Sequence, residues 1–215
     1  MATHDDVTLD TADYAAVMSR TGFAEQVNRN YEAIFDGTHA LCYLHIDHLK
    51  YYSRLNGIEQ GDEVLRRVMA YLLRISTYHL VGRHAGNGLT FIVGTGEVSL
   101  VIAAVNALLP TFGEPDGLVA SMGYAVCKSP SSVRECLQRA HFACDSITND
   151  DDRFLQAFEG DLTLAYDKRT YVIDHLDEAI SAGEIPAYTQ PIIRIMTGRI
   201  CELEVLARWQ SERYG

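Results

Sequence analysis

Apolar side chains recur at helical spacing from Tyr14 to Phe35, with Val17, Phe23, Val27, Tyr31 and Ile34 in register and Asp36-Gly37 as the stop. Ala40 to Ile46 then reads as a short buried strand. Asp62 to Ile75 is strongly amphipathic: Val64, Leu65, Val68, Leu72 and Ile75 line one face, and Arg66, Arg67 and Arg74 the other. Tyr78 to Val81 and Leu89 to Val93 predict two strands around the turn Ala85-Gly86-Asn87-Gly88. A helix from Glu97 to Leu109 ends at Pro110, and Leu118 to Val126 is strand-like. Pro130 and Ser131 introduce a helix to about Ile147, and Phe154 to Phe158 is a last short strand. The order helix, strand, helix, hairpin, helix, strand, helix, strand predicts an α/β fold, a mixed central sheet flanked by helices.

After Gly160 the pattern changes. Leu162, Tyr166, Val172, Ile173, Leu176 and Ile180 keep a helical period up to Ala182-Gly183. Ile185 to Ile195 and Arg199 to Leu206 read as strands joined at Thr197-Gly198. The expected organisation is therefore one domain over 1–160 and the opening of a second over 161–215, a stretch small for an independent core.

Composition narrows the function classes. The chain has 215 residues, with 18 Lys+Arg against 29 Asp+Glu and a formal charge of −11, so general binding to nucleic acid or anionic lipid is disfavoured. No run of apolar residues is long enough to span a membrane, and the acidic start from Met1 to Asp10 is unlike a secretory signal. The five cysteines form no C-x-x-C pair and their count is odd, which points to free thiols in a reducing cytoplasm rather than a disulfide framework or a zinc site.

Three segments carry a family resemblance. His45 to Leu65, HIDHLKYYSRLNGIEQGDEVL, resembles the first strand and following turn of GGDEF domains, the diguanylate cyclase family, and Gly61-Asp62-Glu63-Val64-Leu65 fits that family's G-D-x-V-L. RHAGNGLTFIV, Arg83 to Val93, falls where the signature hairpin belongs, and Ser121-x-Gly123-x-Ala125 matches the S-x-G-x-A strand. The resemblance implies a nucleotidyl-cyclase-like fold. It also implies which positions carry chemistry. Cyclising two nucleoside triphosphates needs a divalent metal held by hard oxygen ligands. The family's first metal carboxylate aligns with His45, and its second, the third residue of the signature turn, with Asn87. The neighbouring acid aligns with Gly88; Asp47 is retained, but the family does not ligate metal through that carboxylate. The guanine-contacting Asn aligns with Ser53 and its partner Asp with Asp62; the triphosphate-binding Lys aligns with Thr148, before Asn149-Asp150-Asp151-Asp152. The product-inhibition motif R-x-x-D reads Ser76-Thr77-Tyr78-His79.

A second resemblance covers the last 50 or so residues. Tyr188-Thr189-Gln190-Pro191-Ile192, Thr197-Gly198-Arg199 and Glu204-Val205-Leu206-Ala207-Arg208-Trp209 are similar to the start of an EAL domain, the cyclic di-GMP phosphodiesterase family, with Val205 in place of its Ala. By that resemblance Glu204 ligates a catalytic Mg²⁺ or Mn²⁺ in a complete domain, Arg208 contacts a substrate phosphate, and Gln190 and Leu206 line the dinucleotide. A full barrel needs about 250 residues, so 161–215 is expected to be a helix and two strands of an incomplete TIM-type barrel with no cofactor of its own. Ile192, Ile193, Ile195, Ile200 and Leu203 are expected to be exposed unless another surface or copy covers them.

Plainer readings stand beside these. Asp62 suits a helix start, where the dipole favours a carboxylate. An Asn-Gly pair is an ordinary hairpin turn, and His45 and His48 are more simply packed or surface side chains than ligands. The expectation is a non-catalytic regulatory GGDEF-like domain of a bacterial cyclic di-GMP signalling protein, itself without cyclase activity, fused to an EAL phosphodiesterase domain. The alternative is a GTP-binding allosteric domain of an active phosphodiesterase. The implied partners are GTP or cyclic di-GMP, a second copy in a homodimer, or the downstream EAL domain.

Overall fold

The computed structural model describes residues 17–84, 87–112, 118–147, 153–211 and 213–214. It divides into two compact units at Gly160/Asp161.

The first unit runs β1 (Met18–Ser19), α1 (Arg20–Arg29), α2 (Tyr31–Ile34), β2 (Asp36–Asp47), α3 (Leu49–Asn56), α4 (Ile58–Ile75), β3 (Val81–Arg83), β4 (Gly88–Gly94), α5 (Val98–Leu108), β5 (Val119–Lys128), α6 (Val133–Asp145) and β6 (Leu155–Ala157). The sheet order is β1-β3-β4-β2-β5-β6. The two outermost pairs, β1 with β3 and β5 with β6, are parallel, and the inner pairs are antiparallel. This is the mixed sheet between helical layers that the pattern predicts.

Both faces of β2 are buried, because successive side chains point to opposite sides of a strand. Ala40, Cys42, Leu44 and Ile46 join a core with Val64, Val68 and Leu72 of α4 and Val101 and Val105 of α5. Leu41 and Tyr43 join the other core, with Phe23 and Val27 of α1 and Cys136, Leu137 and Ala140 of α6. Helix α6 starts in a capping box: Ser132 Oγ accepts from the Glu135 amide at 3.2 Å, and the Glu135 carboxylate accepts from the Ser132 amide at 2.7 Å. All five cysteines are free thiols.

Several expected elements are corrected. The single helix over 14–35 is, in its described part, a two-residue strand and two helices broken at Asn30, whose side-chain amide donates to the Gln26 carbonyl at 3.0 Å. Asp36-Gly37 opens a strand as well as closing a helix: Asp36 Oδ1 accepts from the Thr38 amide at 2.8 Å, and Gly37 takes φ +89°. Helix α3 was not predicted. It turns into α4 at Gly57, where φ is +101°, a conformation that glycine adopts without steric cost. Helix α4 therefore begins at Ile58, and Asp62 is an exposed residue of its second turn rather than its start. Tyr78 and His79 leave the hairpin strand for a tight turn with φ of 57° and 53°, where His79 Nδ1 donates to the Leu73 carbonyl at 2.8 Å.

The second unit is α7 (Asp161–Ala182) followed by an antiparallel ribbon of β7 (Ala187–Arg194) and β8 (Arg199–Ala207). Trp209 anchors the end of β8, its indole N–H donating to Glu184 at 3.1 Å and its ring 5.8 Å from that of Tyr171 on α7. Ile192, Ile193, Ile195, Ile200 and Leu203 are all exposed, Ile195 by 95%. No helix among the described residues is long and apolar enough to cross a membrane.

Gly123 lets α6 lie directly on the sheet. A Cβ there would fall on the main-chain nitrogen of Cys144 and the carbonyl oxygen of Ala140, neither of which is a flexible side-chain end. Gly123→Ala is expected to destabilise the first unit by about 3 kcal/mol or more. The check is the urea midpoint followed by circular dichroism.

Candidate functional site

The pairing of the three central strands builds the site. His45 of β2 stands opposite Gly88 of β4 on one side and Ser121 of β5 on the other, so the three lie in one row across the sheet. Tyr43 and Asp47 flank His45 on the same face, two residues away in each direction. Together with His141 and Asp145 of α6 they line a cavity of about 300 Å³.

Its polar groups are turned on one another. Ser121 Oγ donates to Asp47 Oδ2 at 2.9 Å, and the other oxygen of Asp47 lies 3.6 Å from His45 Nε2. Asn87 Nδ2 lies 3.5 Å from the same imidazole nitrogen and donates to the main-chain carbonyl of Ile46. Tyr43 closes the row from below. Its ring lies 4.2 Å from the imidazole of His141 and 5.3 Å, edge-on, from that of His84. Its hydroxyl fills the space over Gly88, so a Cβ at that position would meet the Tyr43 oxygen. Burial pushes the Tyr43 phenol up to about 12, with Cys144 and Asp145 adding to the shift, so it stays protonated as a neutral wall. Burial likewise raises the Cys144 thiol to about 12.

The remaining sequence-predicted positions fall elsewhere. Ser53 is turned into its own helix, donating to the Leu49 carbonyl at 2.9 Å, and packs against Gly61, whose missing Cβ makes the room. Asp62 is exposed one residue on, and neither lines the cavity. Thr148 lies outside the described residues. Tyr43, Ser121 and His141 were not singled out for the site. The signal for Tyr43 was a hydroxyl-bearing aromatic two residues before His45, hence on its face; Ser121 was legible as a motif residue but not as the partner of Asp47.

In the second unit, Gln190 pairs with Glu204 and Tyr188 with Leu206 across the ribbon. Cross-strand partners share a face, and residues two apart on one strand do too. Gln190, Glu204 and Leu206 are thus brought to one face, next to Arg208, whose guanidinium donates to its neighbour's carbonyl, that of Ala207, at 3.1 Å. Among the described residues, no group of three or more His, Cys, Asp or Glu side chains is placed to hold a metal ion.

The family model described as diguanylate cyclase, GGDEF domain, matches residues 11–152. No curated protein matches the chain. Among solved structures, the GGDEF domain of DgcB from Caulobacter crescentus, in complex with c-di-GMP, is similar with a TM-score of 0.54 and 21% identity, covering 74% of this chain and 100% of that one. A microbial GGDEF domain described with c-di-GMP gives 0.54 and 22%, covering 66% and 94%. The S helix-GGDEF-EAL protein LapD from Vibrio cholerae, bound to c-di-GMP, gives 0.56 and 16% over 95% of this chain. This chain spans about half of that longer one, 49% of its length. At such identities these likenesses are of fold, and the family model carries the assignment: the chain belongs to the GGDEF family of diguanylate cyclase domains.

Proposed function

We propose that residues 1–160 form a non-catalytic, regulatory GGDEF domain of a cyclic di-GMP signalling protein, and that residues 161–215 open an EAL domain. One observation carries the first part. Where the family resemblance puts two carboxylates and a cation, the chain has an imidazole, an amide and a glycine, and the amide is turned to the main-chain carbonyl of Ile46. A hard divalent ion favours charged oxygen ligands. Beside His45, Asp47 accepts from Ser121, while the Asn87 amide donates to the main-chain carbonyl of Ile46. These residues do not fit a magnesium ion. With Ser53 bonded into its own helix, guanine recognition loses its paired amide as well.

The second part is supported by Gln190, Glu204 and Leu206 sharing a ribbon face and by likeness to the fold of a longer GGDEF-EAL protein over nearly the whole chain. By the resemblance, Glu204 would hold a metal together with further ligands from the rest of a complete EAL domain. A second reading, motivated by the same EAL-like residues, is that the first unit binds GTP and thereby tunes an active phosphodiesterase.

Incubation of the chain with GTP and Mg²⁺ or Mn²⁺ is expected to give no cyclic dinucleotide above the protein-free control; metal-dependent turnover overturns the proposal. The triple variant H45D/N87E/G88E is expected to stay inactive, because the Tyr43 hydroxyl occupies the ground that a side chain at position 88 needs. By the same geometry Gly88→Ala is expected to cost about 1–3 kcal/mol, read from its thermal midpoint and relieved in part when Tyr43→Phe removes the hydroxyl. Calorimetry with GTP separates the two readings: no heat at high micromolar nucleotide leaves a regulatory role without nucleotide, and a saturable isotherm supports the allosteric one.

A further inference from the structure

Two of the free thiols, Cys127 and Cys136, face each other across the layer between β5 and α6. The chain connection explains why. Strand β5 ends at Lys128 and α6 begins at Val133, so the helix starts at the strand's end and runs back along it. At Gly123, where a side chain is missing, the main chain of Ala140 to Cys144 rests directly on the strand. From Gly123 forward to Cys127 is about 13 Å of strand, and from Cys144 back to Cys136 is about 12 Å of helix. The two cysteines therefore meet, on the strand face that Gly123 and Ala125 share. Their side chains are hydrogen-bonded, Cys127 donating to Cys136. Both are 0% exposed and belong to one apolar cluster with Val133, Leu137 and Ala140.

The pair is not symmetric. Cys136 ends the first turn of α6, its amide donating to the Ser132 carbonyl at 3.0 Å, and the positive end of a helix favours a thiolate. The hydrogen bond from Cys127 holds the Cys136 thiol below its ordinary range against burial, with Arg139 adding to the effect and Glu135 opposing it. The same bond, with burial, raises the Cys127 thiol. One sulfur is thus prepared to attack and the other keeps its proton. Cys42 and Cys144 differ: burial raises both, which makes them inert core thiols.

We infer that Cys127 and Cys136 are a redox-sensitive pair that a peroxide closes into a reversible disulfide, stapling α6 to β5. The Cys136 thiolate attacks one peroxide oxygen: an S–O bond forms, the O–O bond breaks, and hydroxide leaves and takes up the proton that the thiol gave up. The Cys127 sulfur then displaces the sulfenic hydroxyl: the S–S bond forms, the S–O bond breaks, and the Cys127 proton leaves with the hydroxyl as water. Two thiols lose two electrons in all, and one peroxide becomes two waters. Both sulfurs are sealed in the resting fold, so oxidation proceeds as the first turn of α6 opens, next to the exposed Ser129, Pro130 and Ser132. The bond ties α6, which brings His141 and Asp145 to the cavity, to the strand that brings Ser121. It is independent of whether that cavity takes nucleotide.

The test is peptide mapping of the full chain carrying Cys201→Ser, which removes the exposed thiol. Trypsin cleaves after Lys128 and Arg134, placing the two sulfurs on peptides 84–128 and 135–139, with Cys42 and Cys144 on two others. After hydrogen peroxide, a link between 84–128 and 135–139 is expected to exceed any other pairing by about tenfold or more and to be lost on reduction with dithiothreitol. Cys127→Ala is expected to leave a sulfenic acid at Cys136 that dimedone traps, and Cys136→Ala to leave Cys127 untrapped. No such link in the folded chain, an equal yield from the urea-unfolded chain, or a link to Cys42 or Cys144 in its place would each overturn the inference. So would dimedone on Cys127 but not on Cys136 in those variants.

Discussion

The alternation of side chains along β2 is the constraint on which the first unit depends. One set, Ala40, Cys42, Leu44 and Ile46, is wholly buried under α4 and α5. The other begins as core at Leu41 and Tyr43 and ends as cavity wall at His45 and Asp47. A slip of one residue would exchange the two sets and drive His45 and Asp47 into an apolar layer. Burial of the first set therefore fixes where the polar row points, and the antiparallel neighbours fix what it meets.

Tyr43 is the residue through which this register shapes the cavity. Its ring lines the cavity beside His45 and Asp47, and its hydroxyl fills the space over Gly88. The aromatic packing on His84 and His141 is worth about 0.5–1.5 kcal/mol per contact beyond burial, so moving the ring aside to admit a side chain at position 88 would sacrifice both. A glycine there is what this packing requires.

Much of the sheet was legible from the sequence because its long elements carry unambiguous periodicity; α4 is the clearest, with Val64, Leu65, Val68 and Leu72 on one face. The misses have physical causes. Helix α3 is eight residues long, and its two fully buried apolar side chains, Leu49 and Tyr52, are too few to set a period. Strand β1 is two residues long and owes its existence to its pairing with β3, which no local pattern records. Asp62 was read as a helix start because its charge suits one, yet the turn at Gly57 decides where α4 begins. At the site, His45 and Asn87 were identified by resemblance, and β2–β4 pairing brings them together. The partnership of Ser121 with Asp47 depends on which residues oppose each other across β2 and β5, a long-range register that the motif did not contain.

The ribbon of the second unit has a different logic. Its strands are exposed on both faces, whereas those of the first unit are mostly buried. A two-stranded ribbon is marginal in water without a layer to cover it, and each exposed Ile or Leu forgoes about 1.5–3 kcal/mol of burial. What holds β7 and β8 in register within 161–215 is their own ladder, the turn at Gly198 and the Trp209 anchor on Glu184 and Tyr171. That anchor ties the residue after Arg208 to α7, so the direction of β8 is fixed at its end rather than by a core. Side chains at Gln190, Glu204 and Leu206 are thereby held on one face by backbone pairing alone, an arrangement that sets their order without setting what they bind.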